Sequence, residues 1–119
     1  MHQFRWLIAN DALDIVQPDM FYFGGMIRSM RVANMASSAG KLCVPHISGS
    51  GLGYLYMMHF VSAIENAGPY HEFKGFNTEI PYECPTSSLQ SEDGIVKVPT
   101  GPGLGLKIDP GYVAKHKLL

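Results

Sequence analysis

Three residues with acid–base side chains occur at nearly equal intervals along the chain. Asp19, His46 and Glu72 are 27 and 26 residues apart, and each lies at or just past the end of a short apolar segment. Short apolar segments of this kind are typical of buried strands. A strand with its following helix takes roughly 30 residues in parallel α/β folds. The spacing therefore predicts that consecutive strand–helix units place the three side chains at one edge of a parallel sheet.

An aspartate and an imidazole on neighbouring strand ends have a specific chemical use. Adjacent parallel strands are about 4.8 Å apart, so the Asp19 carboxylate can reach His46. Such a carboxylate fixes the histidine tautomer and stabilises its protonated form, as a general base requires. Structural interpretations stay open for each residue. Asp19 follows Pro18 and can cap a turn, His46 can be a hydrogen-bonded boundary residue, and Glu72 alone indicates little.

Other motifs in the chain give weaker indications of chemistry. His59 lies in an apolar helical segment and is expected in the core, whereas His71 should lie on the opposite side of its strand from the following glutamate. A zinc site built from these two residues and His46 has no recognisable ligand spacing. Tyr54 replaces the third glycine that a dinucleotide-binding loop would need after the glycine-rich segment 49–53. That loop is better interpreted as a helix start that favours a substrate anion.

Helices and strands alternate through the first two thirds of the chain, which predicts an α/β fold with parallel strands. No helix-capping residue precedes the first helical segment, so we expect a chain that begins inside a helix. The tail is rich in proline and glycine and predicts strands and loops that pack on another unit. The predicted elements are a helix around 4–8, a strand at 13–17, a loop at 24–25, a helix at 26–39, a strand at 42–44, a helix from 52 to about 64, a strand at 70–73, a turn at 91–94 and a strand at 95–98.

Composition limits the classes of protein that the chain can represent. It has 119 residues, 46% of them hydrophobic, and a formal net charge of −1, so it predicts one folded domain with no footprint for nucleic acid or an anionic membrane. The longest apolar run, 52–64, is too short to span a bilayer. No secretion signal is evident, and we expect a cytoplasmic protein in which Cys43 and Cys84 are free thiols.

The order of several short motifs resembles the C-terminal part of the mandelate racemase and muconate lactonizing enzyme branch of the enolase superfamily. The resemblance extends over essentially the whole chain. The motifs that carry it are 14–19 (DIVQPD), 24–26 (GGM), 44–46 (VPH), 70–72 (YHE), 93–94 (DG) and 102–105 (PGLG).

This resemblance implies that residues 1–75 are the last βα units of a (β/α) TIM-type barrel and that residues 76–119 form a tail returning to a capping domain. By resemblance, His46 is the general base of the seventh strand and Asp19, on the sixth, orients it. Glu72, on the eighth, would hydrogen-bond the substrate carboxylate or the enediolate. The resemblance also implies Mg²⁺ in the complete enzyme, held by carboxylates on strands that this chain lacks.

The resemblance implies a substrate that is a small sugar acid or hydroxy acid. The leading expectation is an acid-sugar dehydratase, with a racemase or cycloisomerase of the same family as the enzymatic alternative. A non-catalytic truncated fragment that only self-associates is the alternative of a different class. Part of a barrel leaves strand edges and an apolar face uncovered. We therefore expect a homo-oligomer or a complementary chain, and no turnover by this chain alone.

Overall fold

A computed structural model describes residues 1–48, 50–75 and 79–116. Its helices and strands, in chain order, are α1 (His2–Ala9), β1 (Ile15–Val16), α2 (Met20–Phe23), α3 (Gly25–Ser38), β2 (Leu42–Cys43), α4 (Leu52–Ala63), β3 (Tyr82–Glu83), β4 (Lys107–Ile108) and α5 (Pro110–Lys115).

The first sheet is parallel, as the alternation of strands and helices predicts. Ile15 of β1 pairs with Leu42 of β2, and the next residues of each strand pair in the same register. Cys43 also forms a parallel bridge with Ala67, and its carbonyl accepts a hydrogen bond from the N–H of Gly68 at 3.2 Å. The backbone at residue 67 therefore lies beside β2 in the position of a third strand.

Helix α3 covers one face of this sheet. Its residues Val32, Ala33 and Ala36 are fully buried, as are Val16 and Cys43 on the two strands. The small alanine side chains allow the helix backbone to approach the strands closely. Helix α3 spans Gly25–Ser38, one residue earlier at each end than the predicted range 26–39, which confirms the predicted helix.

Helix α4 is buried on most of its surface, in agreement with its apolar sequence. Leu55, Met57 and Phe60 are at most 2% exposed, and they share a hydrophobic core with Leu89 from the tail. The Nε2–H of His59 donates to the carbonyl of Leu104 at 3.0 Å. Part of the tail is thus packed on the α/β part of the same chain. The boundary at residue 76 lies outside the described residues.

Three local predictions were wrong. Residues 70–73 do not form a strand, because the backbone that pairs with β2 lies earlier, at residues 66–68, and no described strand pairs with 70–73. Residues 95–98 form only a bridge from Ile95 to Glu92. The expected loop at 24–25 is the junction of two helices, in which Gly24 has a left-handed φ of 102° and Gly25 begins α3.

The tail contains an antiparallel pair, β3 with β4, and ends in a helix that the sequence analysis missed. Asp109 caps α5 by accepting a hydrogen bond from the N–H of Gly111 at 2.9 Å, and Pro110 occupies the first helical position. An aspartate followed by proline is a known helix-start signal that could have predicted α5.

Both cysteines are free, as expected. Every helix within the described ranges is too short or too polar to cross a membrane.

Candidate active site

An aspartate and a histidine meet beyond the ends of the two parallel strands. Asp19 and His46 each follow their strand by three residues, and Oδ2 of the aspartate lies 2.8 Å from Nδ1 of the imidazole. The aspartate side chain is 10% exposed and the histidine side chain 48% exposed. A buried carboxylate thus holds a half-exposed imidazole at the edge of the sheet.

The second oxygen of Asp19 has a structural task. Oδ1 accepts hydrogen bonds from the N–H groups of Phe21 at 2.8 Å and Tyr22 at 3.4 Å, so Asp19 is also the N-cap of α2. Capping satisfies backbone donors that have no partner inside the helix. The capping interpretation and the interpretation as a partner of His46 are therefore both correct, one for each oxygen.

The pKa of Asp19 lies below the ordinary value for an aspartate. Burial raises this pKa, but hydrogen bonds from the side chains of Ser48 and His46 and from the backbone of Phe21 and Tyr22 outweigh it. An ionised carboxylate can only accept hydrogen bonds, so Nδ1 of His46 carries the proton. Nε2 is then the basic nitrogen, and none of the described residues hydrogen-bonds to it.

Glu72 is hydrogen-bonded to the backbone next to His46 rather than to the His46 ring. Its Oε2 accepts a hydrogen bond from the N–H of Ile47 at 2.8 Å, and Nζ of Lys74 donates to the carbonyl of the same residue. The segment 70–75 therefore reaches the edge that holds Asp19 and His46 although it is not a strand. Of the carboxylate oxygens of Glu72, Oε1 has no partner among the described residues.

Sequence reasoning missed Ser48 and Lys74. Ser48 lies two residues beyond His46 and hydrogen-bonds to Asp19, while Lys74 lies two residues beyond Glu72. Alternate residues of an extended segment lie on the same side, so this spacing was the available signal.

The other histidines lie apart from this arrangement. His59 bonds to the tail as described above, and the Nε2–H of His71 donates to the carbonyl of Gly68 at 2.8 Å. Over residues 1–48, 50–75 and 79–116, no three His, Cys, Asp or Glu residues form a group that could hold a metal ion. Both oxygens of Asp19 are already hydrogen-bonded. The described residues therefore do not fit Mg²⁺, and no step of the chemistry is assigned to a metal on this chain.

The glycine-rich segment brings two helix starts close together. A Cβ on Gly53, in the first turn of α4, would lie 2.6 Å from Cζ of Phe21 in α2, so glycine is the residue that lets this ring approach. Gly51 caps α4 with a φ of 57°. Gly49 lies outside the described residues.

Residues 1–112 match the family model described as Enolase C-terminal domain-like. The chain belongs to this family, which confirms the resemblance that the short motifs predict.

Curated relatives include enzymes of two reaction types. The chain is 29% identical to an arabinonate dehydratase of Saccharolobus solfataricus, over 97% of this chain and 30% of that protein. It is 30% identical to a D-galactarolactone cycloisomerase of Agrobacterium fabrum, over 93% of this chain and 31% of that protein. The chain thus spans about a third of the length of these relatives.

Solved structures share the fold. A candidate racemase of Roseobacter denitrificans matches with a TM-score of 0.79 and 36% identity, over 97% of this chain and 32% of that one. An enolase of Pantoea ananatis, solved with bound D-gluconate and Mg, matches with a TM-score of 0.74 and 25% identity, over 93% of this chain and 27% of that one.

Proposed function

We propose that the chain is the C-terminal segment of an enolase-superfamily enzyme that removes the proton α to a carboxylate, specifically an acid-sugar dehydratase. The observation that carries the proposal is the hydrogen bond between the buried Asp19 carboxylate and Nδ1 of His46. Family membership adds the substrate class, because an arabinonate dehydratase and an L-rhamnonate dehydratase are among the curated relatives.

His46 acts as the general base through Nε2. It removes the α-proton of the sugar acid, and Asp19 stabilises the imidazolium that forms. The C–O bond at the β-carbon then breaks, and protonation of the leaving hydroxyl by His46 releases water. The enol product tautomerises to a 2-keto acid.

Glu72 binds the reacting carboxylate or the enediolate through Oε1. Its Oε2 is already held by the N–H of Ile47, which fixes the orientation of the carboxyl group. A carboxyl group donates a hydrogen bond to an oxyanion only in its protonated form. In this proposal the Glu72 carboxyl group is therefore protonated while the intermediate exists.

Further polypeptide completes the barrel. Ile15 and Leu42 are 44% and 39% exposed, although parallel sheets are ordinarily covered on both faces. The strands that carry the Mg²⁺ ligands of the complete enzyme would belong to further polypeptide, whereas a homo-oligomer of this chain would only cover its open face. Because electrostatic stabilisation of the intermediate is usually the largest contribution to such catalysis, the chain alone would not turn over substrate.

Incubation with sugar acids in deuterated water tests this function. The assembled enzyme, meaning this chain together with the polypeptide that completes its barrel, is mixed with arabinonate, rhamnonate or gluconate and the products are analysed by mass spectrometry. A dehydratase yields a 2-keto product that has lost one water. His46→Asn should abolish this product without unfolding the protein, and turnover retained by that variant contradicts the role of His46.

A racemase or cycloisomerase is the second candidate, favoured by the galactarolactone cycloisomerase among the relatives. Its signature in the same experiment is deuterium at the α-carbon without a 2-keto product, or opening of a lactone ring without loss of water. A third outcome, no exchange and no product in the assembled enzyme, would favour a non-catalytic fragment that only associates.

A further inference from the structure

Two charged side chains hold the backbone immediately after His46. Oε2 of Glu72 accepts from the N–H of Ile47 at 2.8 Å, and Nζ of Lys74 donates to the Ile47 carbonyl. The N–H lies in the peptide group between His46 and Ile47, and the carbonyl lies in the peptide group between Ile47 and Ser48. Two consecutive peptide groups are therefore fixed from one short segment, and we call this pair of contacts the peptide clamp.

The histidine ring needs such support because it is only half-buried. The His46 side chain is 48% exposed, whereas Ile47 is 1% exposed and anchored in the core. Within the described ranges, Asp19 is the only side chain that hydrogen-bonds to the ring. The direction of Nε2 consequently depends on the backbone that carries the ring, and the peptide clamp sets that backbone.

Charge strengthens the Lys74 contact of the peptide clamp, and it strengthens the Glu72 contact while that carboxyl group is ionised. Hydrogen bonds in which one partner is ionised are roughly twice as strong as those between neutral groups.

We propose that Lys74 is a positioning residue for His46, acting with Glu72 through the peptide clamp. The proposal rests on the proposed function, in which His46 is the base. Lys74 does not contact the ring, so it acts by holding Nε2 where the α-proton will be. A displacement of about 1 Å at a reacting group can cost about a hundredfold in rate.

Hydrogen exchange of the Ile47 amide, read by mass spectrometry with residue-resolved fragmentation, tests the peptide clamp without any catalysis. In the full chain, Lys74→Met should speed exchange at Ile47, because the backbone that carries this N–H loses its Lys74 contact, but by less than the factor of about ten or more expected from losing a hydrogen bond to a charged group on the N–H itself. Glu72→Ala, which removes the acceptor itself, is the positive control. Lys74→Arg should restore protection, and the exposed tail lysine variant Lys97→Met should exchange as the wild type.

Kinetics of the assembled enzyme test the positioning role. Lys74 variants are used because Glu72 is itself assigned to the reaction. Lys74→Met should lower kcat tenfold to about a hundredfold with KM within about twofold, Lys74→Arg should recover most of kcat, and Lys97→Met should leave both unchanged. Melting curves identify the folded fraction, so that simple destabilisation is not mistaken for lost positioning.

Each outcome is decisive. Unchanged Ile47 exchange in Lys74→Met, or faster exchange with a wild-type kcat, overturns the proposal. Equal losses of kcat in Lys74→Met and Lys74→Arg also overturn the proposal, because arginine keeps the positive charge that the peptide clamp uses. If the wild-type assembled enzyme shows neither product nor α-proton exchange, the proposed function fails. The peptide clamp is judged separately, because normal protection of the Ile47 amide in Lys74→Met overturns it whether or not the enzyme is active.

Discussion

Asp19 divides its two carboxylate oxygens between α2 and His46, and Asp19→Asn separates these tasks. Asparagine is as good an N-cap as aspartate, so the fold should be retained. An amide is neutral and can present an N–H group to Nδ1, which disfavours the productive tautomer. We expect kcat of the assembled enzyme to fall about 10²- to 10⁴-fold, the range of general-base catalysis.

The matched control is Asp14→Asn, which changes an exposed aspartate before β1. Its kcat should equal that of the wild type. Circular dichroism verifies that both variants are folded. An Asp19→Asn enzyme within a factor of two of the wild type would contradict the role of the carboxylate.

The same aspartate makes stability depend on acid pH. Hydrogen bonds hold the pKa of Asp19 below its ordinary value of 3.8, so the folded state favours the ionised form. This contribution to the free energy of unfolding is complete above the ordinary pKa and is lost as the pH falls through that range to the folded pKa. Urea unfolding across the acid range should show a shallower loss for Asp19→Asn. Parallel curves for the two proteins would count against the shift.

The two thiols should differ in reactivity. Burial raises the pKa of Cys43 to about 11, whereas Cys84 is partly exposed. Since the thiolate is the reactive species, a disulfide reagent should modify Cys84 in the folded chain and Cys43 only after unfolding. Cys84→Ser should abolish the fast reaction, and rapid labelling of both thiols would contradict the burial of β2.

Sequence patterns at the residue scale predicted that Asp19 and His46 meet, but not the contacts that hold them in place. Asp19 and His46 could be paired because strand spacing determines where parallel strands end. The two-residue spacing could have placed Ser48 and Lys74 on the same side as His46 and Glu72, but their contacts depend on the path of irregular segments and could not be predicted. Glu72 was expected beside the reacting group, yet its contact with the Ile47 backbone follows from no periodic pattern.

At the scale of elements, periodic patterns predicted the long helices and failed for segments whose structure depends on a partner. Helices α3 and α4 have apolar faces that specify where they pack. The segment 70–73 has the composition of a strand, but a strand exists only where another strand pairs with it. Helix α5 depends on its N-cap rather than on apolar periodicity, so an analysis based on hydrophobic patterns missed it.

The contact between β2 and the chain that follows α4 depends on Gly68. A Cβ at this position would lie 2.4 Å from Cγ2 of Val44, and a valine side chain has little rotational freedom to move away. Gly68→Ala should therefore reduce the free energy of unfolding by about 1–3 kcal/mol, as overpacking typically does, measured by urea denaturation.

The control for this change is Gly111→Ala, where the Cβ would meet only the Asp109 carboxylate at 3.4 Å. It should alter stability by no more than about 1 kcal/mol. Adding Val44→Ala to Gly68→Ala should recover part of the loss by relieving the clash. If Gly68→Ala is as stable as the wild type, this backbone approach is not as close as described.

At the scale of the whole molecule, the parallel sheet has one covered and one open face. Val16 and Cys43 are fully buried under α3, while Ile15 and Leu42, which pair in register, are 44% and 39% exposed. Paired residues of neighbouring strands lie on the same face, so these two side chains form an apolar row. An uncovered apolar face is what a partial barrel predicts, and this row is exposed in the described chain, whereas what covers it stays a prediction.

Burial of this open face should make the 119-residue chain associate with itself or with a complementary chain. Sedimentation velocity should show oligomers at micromolar concentration. The double variant Ile15→Thr with Leu42→Thr should shift the chain toward monomer, because threonine keeps the strand preference but removes apolar surface. Ile95→Thr, at a tail residue 66% exposed, is the control and should sediment as the wild type. A wild-type chain that sediments as a folded monomer would show that the open face needs no cover.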